Sequence, residues 1–393
     1  MSVHDAAARP LAIHLVAGEA SGDALGAALM RGLRALRPEV SFAGVGGRAM
    51  ADAGLASSFA FEELSIIGVA AIPRALPRIL RRIRQTADGV VVARPDALVI
   101  IDSPDFTHRV ARKVRAAAPM IPIIDYVSPT VWAWRPWRAR AMRAYVDEVL
   151  AVLPFEPAAH ARLGGPPCTF VGHPLAERLG ELRPNPDEAR RRLADPPVVL
   201  VLPGSRASEI RRLAATFGDV LGLAAAQAGP FDLVLPTLPH IAALVGEASA
   251  TWPVRPRIVV DAAEKHAAFR TARAALAASG TVTLELALAG VPMVAGYRLQ
   301  SWEEWAFRLM AQAYISTANL ANLVLGENVV PEYLQSNFRP DRIAAGFVPL
   351  LTDTPQRRRQ VEAFGKLDAI MDLGAAAPSR RAAERVLAVI AGR

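Results

Sequence analysis

Cysteine is nearly absent from this chain, which has one such residue, Cys168, among 393. A single thiol forms no internal disulfide and builds no cysteine-based metal site. Long apolar runs are missing as well, since none reaches the roughly 18 residues that suggest a membrane-spanning helix. The first ten residues, MSVHDAAARP, contain a carboxylate and lack the apolar core of a signal peptide, which predicts a cytoplasmic product.

The chain is rich in apolar side chains and in arginine. Hydrophobic residues make up 52% of its 393 residues, and this length fits two α/β domains better than one small core. The formal net charge is +8, and nearly all of the excess is arginine. Such a charge suits anionic partners such as phosphate groups, nucleic acid or acidic lipid, although a generally arginine-rich composition explains the total equally well.

Residues 274–296 predict a strand, a tight loop, a helix and a second buried strand. The loop consists of Ser279, Gly280 and Thr281. Glycine permits close approach of the backbone, and a helix N-terminus at the carboxyl edge of a parallel sheet is a common seat for phosphates. Glu285 lies one turn into the helix, where it can accept hydrogen bonds from ribose hydroxyls or simply offset the helix dipole.

The chain opens with a predicted strand over 11–17, a loop over 18–23 and a helix over 24–36. The loop, GEASGD, is not a dinucleotide fingerprint, because its glycines are four apart and its two carboxylates, Glu19 and Asp23, would repel a pyrophosphate. Its oxygen acceptors favour an uncharged or sugar-like ligand, and a merely tight turn is the alternative.

A second acidic loop, DSPDF at 102–106, follows a predicted strand over 96–101. Asp102 comes directly after the strand, so we expect it to cap or brace the loop. Asp105 lies further out and is the better candidate for a general base.

The second half begins again with a buried strand over 198–202, followed by a loop with phosphate-binding chemistry. Gly204 can expose backbone N–H groups, Ser205 can donate a hydrogen bond, and Arg206 can make bidentate bonds to a pyrophosphate. Residues 182–197 are rich in Pro, Asp and Arg, which predicts the linker between two domains.

Residues 64–84 combine apolar side chains with two prolines and several arginines. The prolines predict a poor interior helix. Apolar and basic groups together favour an interfacial segment that docks on an anionic membrane, and a segment packed under its own domain is the alternative. The docking residues would be Ile66, Ile67, Val69, Ile72, Leu76, Arg81 and Arg82.

Seven short motifs occur in a specific order and spacing over nearly the whole chain. They are GEASGD at 18–23, IDSPDF at 101–106, YVSPTVWAWR at 126–135, FVGHP at 170–174, LPGSR at 202–206, ASGTVTLELAL at 278–288 and GYR at 296–298. Each motif alone is weak, but together they resemble those of the lipid-A-disaccharide synthases, a family of glycosyltransferases.

The resemblance implies an α/β fold with two facing Rossmann-like domains of GT-B type, and C-terminal helices that pack back on the N-terminal domain. It predicts an acceptor-binding domain over 1–180, with the membrane-docking segment at 64–84. A UDP-sugar-binding domain is predicted over 196–345, and the returning helices over 346–393.

The resemblance also implies the reaction. The donor is UDP-2,3-diacylglucosamine and the acceptor is 2,3-diacylglucosamine 1-phosphate, which an inverting enzyme joins through a β-1,6 bond with release of UDP. No metal or other cofactor is implied, and no nucleic-acid partner. We expect a peripheral enzyme on anionic lipid at the cytoplasmic face of the inner membrane, and the apolar helices near the C-terminus are compatible with a homodimer.

Roles for single residues follow from the matched motifs and from the chemistry of an inverting transfer. The catalytic candidates are Asp105, which is preferred as the base, and Asp23, Glu19 and Ser21 in the first loop. The UDP-sugar candidates are Gly204, Ser205, Arg206, Ser279, Gly280, Thr281, Glu285, Tyr297 and Asn322.

Two other functions remain open from the sequence. A UDP-N-acetylglucosamine epimerase or another UDP-sugar enzyme on the same fold would bind UDP in the same way and would need no surface for acyl chains. A protein that only binds such a ligand is the third candidate. The arginine-flanked apolar segment at 64–84 favours the lipid transferase over both.

Overall fold

A computed structural model describes residues 10–64, 72–299, 317–374 and 376–392, with backbone alone for residues 72–75. Contacts divide the chain into a first unit, Met1–Ala176 with Ala375–Arg393, and a second unit, Glu177–Gly374. The boundaries differ from the predicted ones at the C-terminus. Residues 346–374, expected to return to the first domain, belong to the second unit.

In the described part of the first unit, six strands form one sheet in the order β2-β1-β3-β4-β5-β6, and all paired strands are parallel. The strands are β1 (Ala12–Ala17), β2 (Ser41–Val45), β3 (Ala97–Ile101), β4 (Ile123–Tyr126), β5 (Glu148–Ala151) and β6 (Cys168–Phe170). The helices are α1 (Ala20–Leu36), α2 (Arg48–Asp52), α3 (Ile72–Ala93), α4 (Pro104–Ala117), α5 (Trp137–Met142) and α6 (Glu156–Leu163).

Sequence patterns explain why the sheet is buried on both faces. The five residues of β3, ALVII, are all buried, as expected for a strand of a parallel sheet that helices cover on both sides. Gly44 in β2 has a φ of +141°, and a Cβ there would lie 1.8 Å from the carbonyl oxygen of Leu15 in β1. Only glycine permits this approach between neighbouring strands.

Helix α3 corrects one expectation. Its two prolines were expected to make residues 64–84 a poor interior helix, whereas the described residues from Ile72 to Ala93 form a helix that has Pro77 inside it. Pro77 lies near the N-terminus, where few intrahelical hydrogen bonds are lost, and Ile83 and Val90 are buried in the core. Among the described residues, no helix is long and apolar enough to cross a membrane.

The last helix completes the first unit. Helix α17 (Pro378–Ala391) packs against α1, where a Cβ on Gly32 would lie 2.7 Å from the carbonyl oxygen of Ser379. Its Arg385 donates two hydrogen bonds to Glu148, a buried carboxylate of β5. The bidentate pair offsets the cost of burying that charge.

In the second unit, the described residues form another parallel sheet, in the order β12-β11-β10-β7-β8-β9. The strands are β7 (Val198–Leu202), β8 (Asp232–Pro236), β9 (Arg257–Val259), β10 (Ala272–Ala278), β11 (Met293–Tyr297) and β12 (Glu332–Leu334). The helices are α7 (Leu179–Leu182), α8 (Pro186–Leu193), α9 (Ala207–Ala228), α10 (Ala242–Ser249), α11 (Ala262–Thr271), α12 (Thr281–Leu288), α13 (Leu320–Leu325), α14 (Pro340–Phe347), α15 (Pro355–Gly365) and α16 (Leu367–Ile370).

The predicted linker over residues 182–197 is wrong, because most of this stretch folds into the second unit. Helix α8 begins with a capping box in which Asn185 and Glu188 satisfy each other's backbone N–H groups. Its Arg192 is buried and donates to the carbonyl oxygens of Phe269 and Ala289. These bonds fasten α8 to the C-terminal ends of α11 and α12.

Each sheet reverses its strand order once. The reversal lies between β1 and β3 in the first unit and between β7 and β10 in the second. Ligands of open α/β sheets bind outside the carboxyl ends of the strands at such a switch point. The loops after these four strands are therefore the ones to examine for function.

Candidate active site

The loop after β1 is shorter than the sequence predicts. Helix α1 begins at Ala20 with Glu19 as its N-cap, so that Ser21 and Asp23 lie in its first turn. Glu19 and Ser21 are exposed, and the Ser21 hydroxyl donates to Asp102 Oδ2 over 2.8 Å. This bond joins the two loops that flank the first switch point.

Asp23 has a structural role. It is buried, and its carboxylate accepts hydrogen bonds from the backbone N–H groups of Gly47, Ala49 and Met50 at 2.7, 2.9 and 3.0 Å. These three bonds cap the start of α2. A carboxylate that accepts hydrogen bonds from three backbone amides is poorly placed to take a proton from a ligand. The structure therefore does not support the prediction of Asp23 as a candidate base.

Asp105 stands at the start of α4, beyond the end of β3. Its side chain is 80% exposed, and its Oδ1 lies 3.1 Å from Nη2 of Arg138. Asp102 and Ser103 before it both have positive φ, at 53° and 47°, in a sharp turn that leads from β3 into the helix. Asp105 is therefore an exposed carboxylate at the switch point, with one cation beside it.

In the second unit, Arg206 follows β7 and caps α9. Its side chain is 76% exposed. Gly204 before it has a φ of +116°, and a Cβ there would lie 2.4 Å from Glu209 Oε2, so the turn requires glycine.

Glu209 changes how this loop can bind an anion. The backbone N–H groups of Ser205 and Arg206 both donate to Glu209 Oε2, at 2.9 and 3.2 Å. The sequence predicts that this loop offers its amides to a phosphate, but these two amides are occupied. The Arg206 guanidinium, which also lies 3.3 Å from Glu209 Oε1, is the exposed cationic donor of the loop.

Helix α12 follows β10, and Arg206 follows β7. Because β10 pairs with β7, Arg206 and the start of α12 come after neighbouring strands. Gly280 is its N-cap, and a Cβ there would meet nothing within 4 Å among the described atoms. Thr281 is exposed at the first helical position. Helix N-termini with open space in front of them are common places for anions to bind in proteins.

Ser279 is directed elsewhere. Its hydroxyl donates to Oε1 of Glu332 in β12 over 2.6 Å, while Oε2 of that carboxylate accepts from Thr317 and from the amide of Ala318. The Ser279 hydroxyl therefore secures the edge strand. It is not a free donor, in contrast to the prediction.

Glu285 has a cation that the sequence did not reveal. Its Oε1 lies 2.8 Å from Nζ of Lys265 in α11, and its side chain is largely buried. The sequence analysis assigned Glu285 no cationic partner, whereas this ion pair holds its side chain in one orientation. Its second oxygen, Oε2, can still accept a hydrogen bond from a hydroxyl group.

Asn322 is a structural residue of α13. It is buried, its Oδ1 accepts from the backbone N–H groups of Val329 and Val330 at 3.0 and 2.8 Å, and its Nδ2 donates to the Val330 carbonyl oxygen over 2.9 Å. These bonds fold the loop that leads to β12. Both ends of the amide are used, so its predicted contact with a ligand is not supported. Tyr297, at the end of β11, is half-buried, with the guanidinium of Arg212 above its ring.

Three site residues were missed from the sequence, and only one of them had a local signal. Glu209 comes three residues after the N-cap of α9, the spacing of a capping box. Lys265 and Glu332 lie 20 and 53 residues from their partners Glu285 and Ser279, so no local pattern predicts these contacts.

Comparison with known proteins decides the family. The family described as Lipid-A-disaccharide synthetase matches residues 13–386. A lipid-A-disaccharide synthase of Rhodopseudomonas palustris (strain BisB18) is 60% identical over 379 residues, which cover 96% of this chain and 95% of that protein. The chain belongs to the lipid-A-disaccharide synthase family. This confirms the family that the seven motifs predict.

Solved structures confirm the fold class of this family member. The UDP-GlcNAc 2-epimerase of Neisseria meningitidis, bound to UDP-GlcNAc, has a TM-score of 0.64 and 11% identity, over 98% of this chain and 100% of that one. CalG4, the calicheamicin glycosyltransferase, has a TM-score of 0.57 and 18% identity, over 98% and 99%. At such low identity the likeness shows the fold alone, which is the α/β fold of GT-B glycosyltransferases.

We predict that Asn322→Ala destabilises this synthase-family chain. Each buried amide left without its partner costs about 1–3 kcal/mol, so the melting temperature should fall by at least about 2–4 °C in a domain of this size. Thermal unfolding followed by fluorescence measures the shift. Asn328→Ala is the matched control, because that asparagine is exposed six residues further on. Equal melting temperatures for both variants would contradict the structural role.

Proposed function

We propose that this chain is an inverting glycosyltransferase of lipid A synthesis. It joins UDP-2,3-diacylglucosamine to 2,3-diacylglucosamine 1-phosphate, giving the β-1,6-linked disaccharide 1-phosphate and UDP. The observation that carries the proposal is the family match over residues 13–386. The epimerase alternative is not favoured, because the likeness to an epimerase is one of fold at 11% identity. The homodimer stays a prediction.

The direct test is an assay of the purified protein with both lipid substrates. Thin-layer chromatography and mass spectrometry should detect the disaccharide 1-phosphate, formed in equal amount to UDP. An epimerase would instead convert the UDP-sugar without any acceptor, and a binding protein would leave both substrates unchanged. Either of these results would refute the proposal.

The charged groups at the two switch points support different roles for the two units, with the base in the first and diphosphate binding in the second. The first carries exposed carboxylates, Glu19 and Asp105, whereas the second offers Arg206 and the N-terminus of α12. In the proposed reaction, Asp105 takes the proton of the acceptor 6-hydroxyl as its oxygen bonds to the anomeric carbon of the donor. The bond from that carbon to the diphosphate breaks at the same time, and positive groups stabilise the departing UDP.

The donor contacts of the proposal lie in the second unit. Arg206 and the amides at Gly280 and Thr281 bind the diphosphate, since a guanidinium and a helix N-terminus both attract it. Glu285, which is paired with Lys265, accepts hydrogen bonds from the ribose hydroxyls. The remaining predicted contacts, Ser205 and Tyr297, lie at the same carboxyl edge, after β7 and at the end of β11.

We predict that Arg206→Ala weakens UDP binding by about 10- to 100-fold, because a hydrogen bond to a charged group contributes about 1.5–3 kcal/mol. Isothermal titration calorimetry with UDP measures the dissociation constant. Arg211→Ala is the matched control, since it removes an equal charge from an exposed position on α9. If both variants bind UDP like the wild type, Arg206 does not belong to the site.

We predict that Asp105→Asn lowers kcat by about 10²–10⁴-fold and leaves donor affinity nearly unchanged, as expected for loss of a general base. Steady-state kinetics with both substrates and UDP calorimetry measure the two effects. Glu19→Gln is the comparison, because Glu19 is the other exposed carboxylate at this switch point. Normal turnover in Asp105→Asn together with loss in Glu19→Gln would move the base to Glu19.

We further propose that the start of α3 docks the enzyme on anionic lipid of the inner membrane. Leu76 and Leu80 are 43% and 44% exposed, one turn apart, and Arg81 is exposed beside them. Arg82 takes no part, because it pairs with Glu63 and stacks on Phe59.

Ile66, Ile67 and Val69 lie outside the described residues, and the side chain of Ile72 is not described. The buried face of α3 also accords with part of the core-packing alternative, since Ile83 belongs to the core. The proposal therefore rests on the exposed leucines and arginines.

We predict that the double variant Leu76→Ser, Leu80→Ser sediments less with vesicles of anionic phospholipid than the wild type does. Each leucine removed from the interface forfeits up to about 1.5–3 kcal/mol of burial. Val92→Ser is the matched control, because that side chain is 84% exposed on the same helix outside the proposed docking segment. Undiminished vesicle binding by a folded double variant would contradict the docking proposal.

A further inference from the structure

The first unit contains a small basic pocket beside Asp105. Its volume is about 100 Å³, which is room for several water molecules or for one phosphate group. Three arginines line it, Arg109 and Arg112 from α4 and Arg138 from α5. We call this cavity the arginine pocket.

Charge in the arginine pocket is unbalanced. Of the three guanidinium groups, Arg138 is paired with Asp105, the carboxylate that lines the pocket. Arg109 and Arg112 have exposed side chains. Two arginines that share one cavity and have no carboxylate partner among the described residues favour an anion with several acceptor oxygens.

Two hydrogen bonds beneath the pocket, from Arg112 to Tyr145 and between Tyr145 and His108, orient one of these arginines. Arg112 Nη2 donates to the Tyr145 hydroxyl oxygen over 3.3 Å, and its guanidinium stacks on that ring. Tyr145 lies 3.0 Å from Nδ1 of His108, and Nε2 of His108 lies 3.3 Å from Oδ2 of Asp125, a fully buried carboxylate.

The direction of the two hydrogen bonds follows from Arg112, which only donates. The Tyr145 hydroxyl oxygen accepts from Arg112, and the hydroxyl has its own hydrogen left for Nδ1 of His108. Burial raises the pKa of Tyr145, which keeps its hydroxyl protonated as the donor to His108. Two buried residues, Tyr145 and His108, thus orient the exposed Arg112 guanidinium at the pocket.

We propose that the arginine pocket binds the phosphate of the acceptor sugar, a phosphomonoester. This inference rests on the proposed function, in which the acceptor is a monosaccharide 1-phosphate. One sugar ring carries both the 6-hydroxyl and the 1-phosphate, so the groups that bind them must be neighbours. Asp105, the proposed base, lines the same pocket as Arg109 and Arg112. In the proposed function, the donor diphosphate binds elsewhere, at Arg206 and the N-terminus of α12 in the second unit.

The test compares two acceptors in the full-length enzyme, diacylglucosamine 1-phosphate and the same lipid without its phosphate. We expect Arg109→Gln and Arg112→Gln each to lose about 10- to 100-fold in kcat/KM for the phosphorylated acceptor, mainly through its KM, with the donor KM unchanged. With the unphosphorylated acceptor, the variants and the wild type should react at equal rates. Arg143→Gln, an exposed arginine at the end of α5, is the control and should match the wild type with both acceptors.

Each other outcome is decisive. Equal losses with both acceptors would overturn the proposal, because the arginines would then not read the phosphate. Reduced sedimentation of the variants with phosphatidylglycerol vesicles, at unchanged preference for the phosphorylated acceptor, would assign the arginines to lipid headgroups and would also overturn it. No disaccharide from the wild type would refute the proposed function itself, and this inference with it. Arg109→Gln keeps the test valid if Arg112→Gln does not fold, since Arg112 alone stacks on Tyr145.

Discussion

Parallel pairing of the strands is the constraint on which the rest of the structure depends. Because all paired strands of each sheet run in one direction, the loops that follow them emerge at one edge. The strand order reverses between β1 and β3 and between β7 and β10, and ligands of open α/β sheets bind outside the carboxyl ends of the strands at such reversals. Residues that are about 80 positions apart in the sequence, such as Ser21 and Asp102, are thereby brought into hydrogen-bond contact.

Polar groups at these edges fall into two classes, those bonded within their own unit and those exposed to solvent. Asp23, Glu209, Glu332 and Asn322 are occupied by backbone N–H groups or hydroxyls of their own unit. Such residues satisfy buried donors, and they fix the loops in which they lie. Asp105 and Arg206 are exposed instead, and each has one ion-pair partner among the described residues. Fixed loops that present a few exposed charged groups are what a preorganised catalytic site requires.

The sequence predicts the fold well because its signals are local. Continuous apolar runs such as ALVII and VVLVL predict buried parallel strands, and Gly280 and Gly290 bound α12 nearly where the pattern places its ends. The predictions that failed concern tertiary contacts. The linker predicted over residues 182–197 is one of them. Its Arg192 bonds carbonyl oxygens far along the chain, and no local pattern shows such contacts.

The candidate site could be predicted only in part for the same reason. Asp105 and Arg206 follow buried strands, which a sequence shows directly. Asp23 also follows one, but its capping of residues 24 to 27 positions away leaves no local sign. The arginine pocket joins two helices and the buried side chains of Tyr145 and His108, so its construction is visible only in three dimensions.

In the proposed reaction, the second unit holds UDP at its switch point and the first unit supplies the base. A crystal structure of the protein with UDP tests this assignment. We expect the diphosphate to contact Arg206 and the amides at Gly280 and Thr281, and the ribose hydroxyls to donate to Glu285. Density for UDP at the carboxyl edge of the first sheet, beside Glu19 and Asp105, would contradict it.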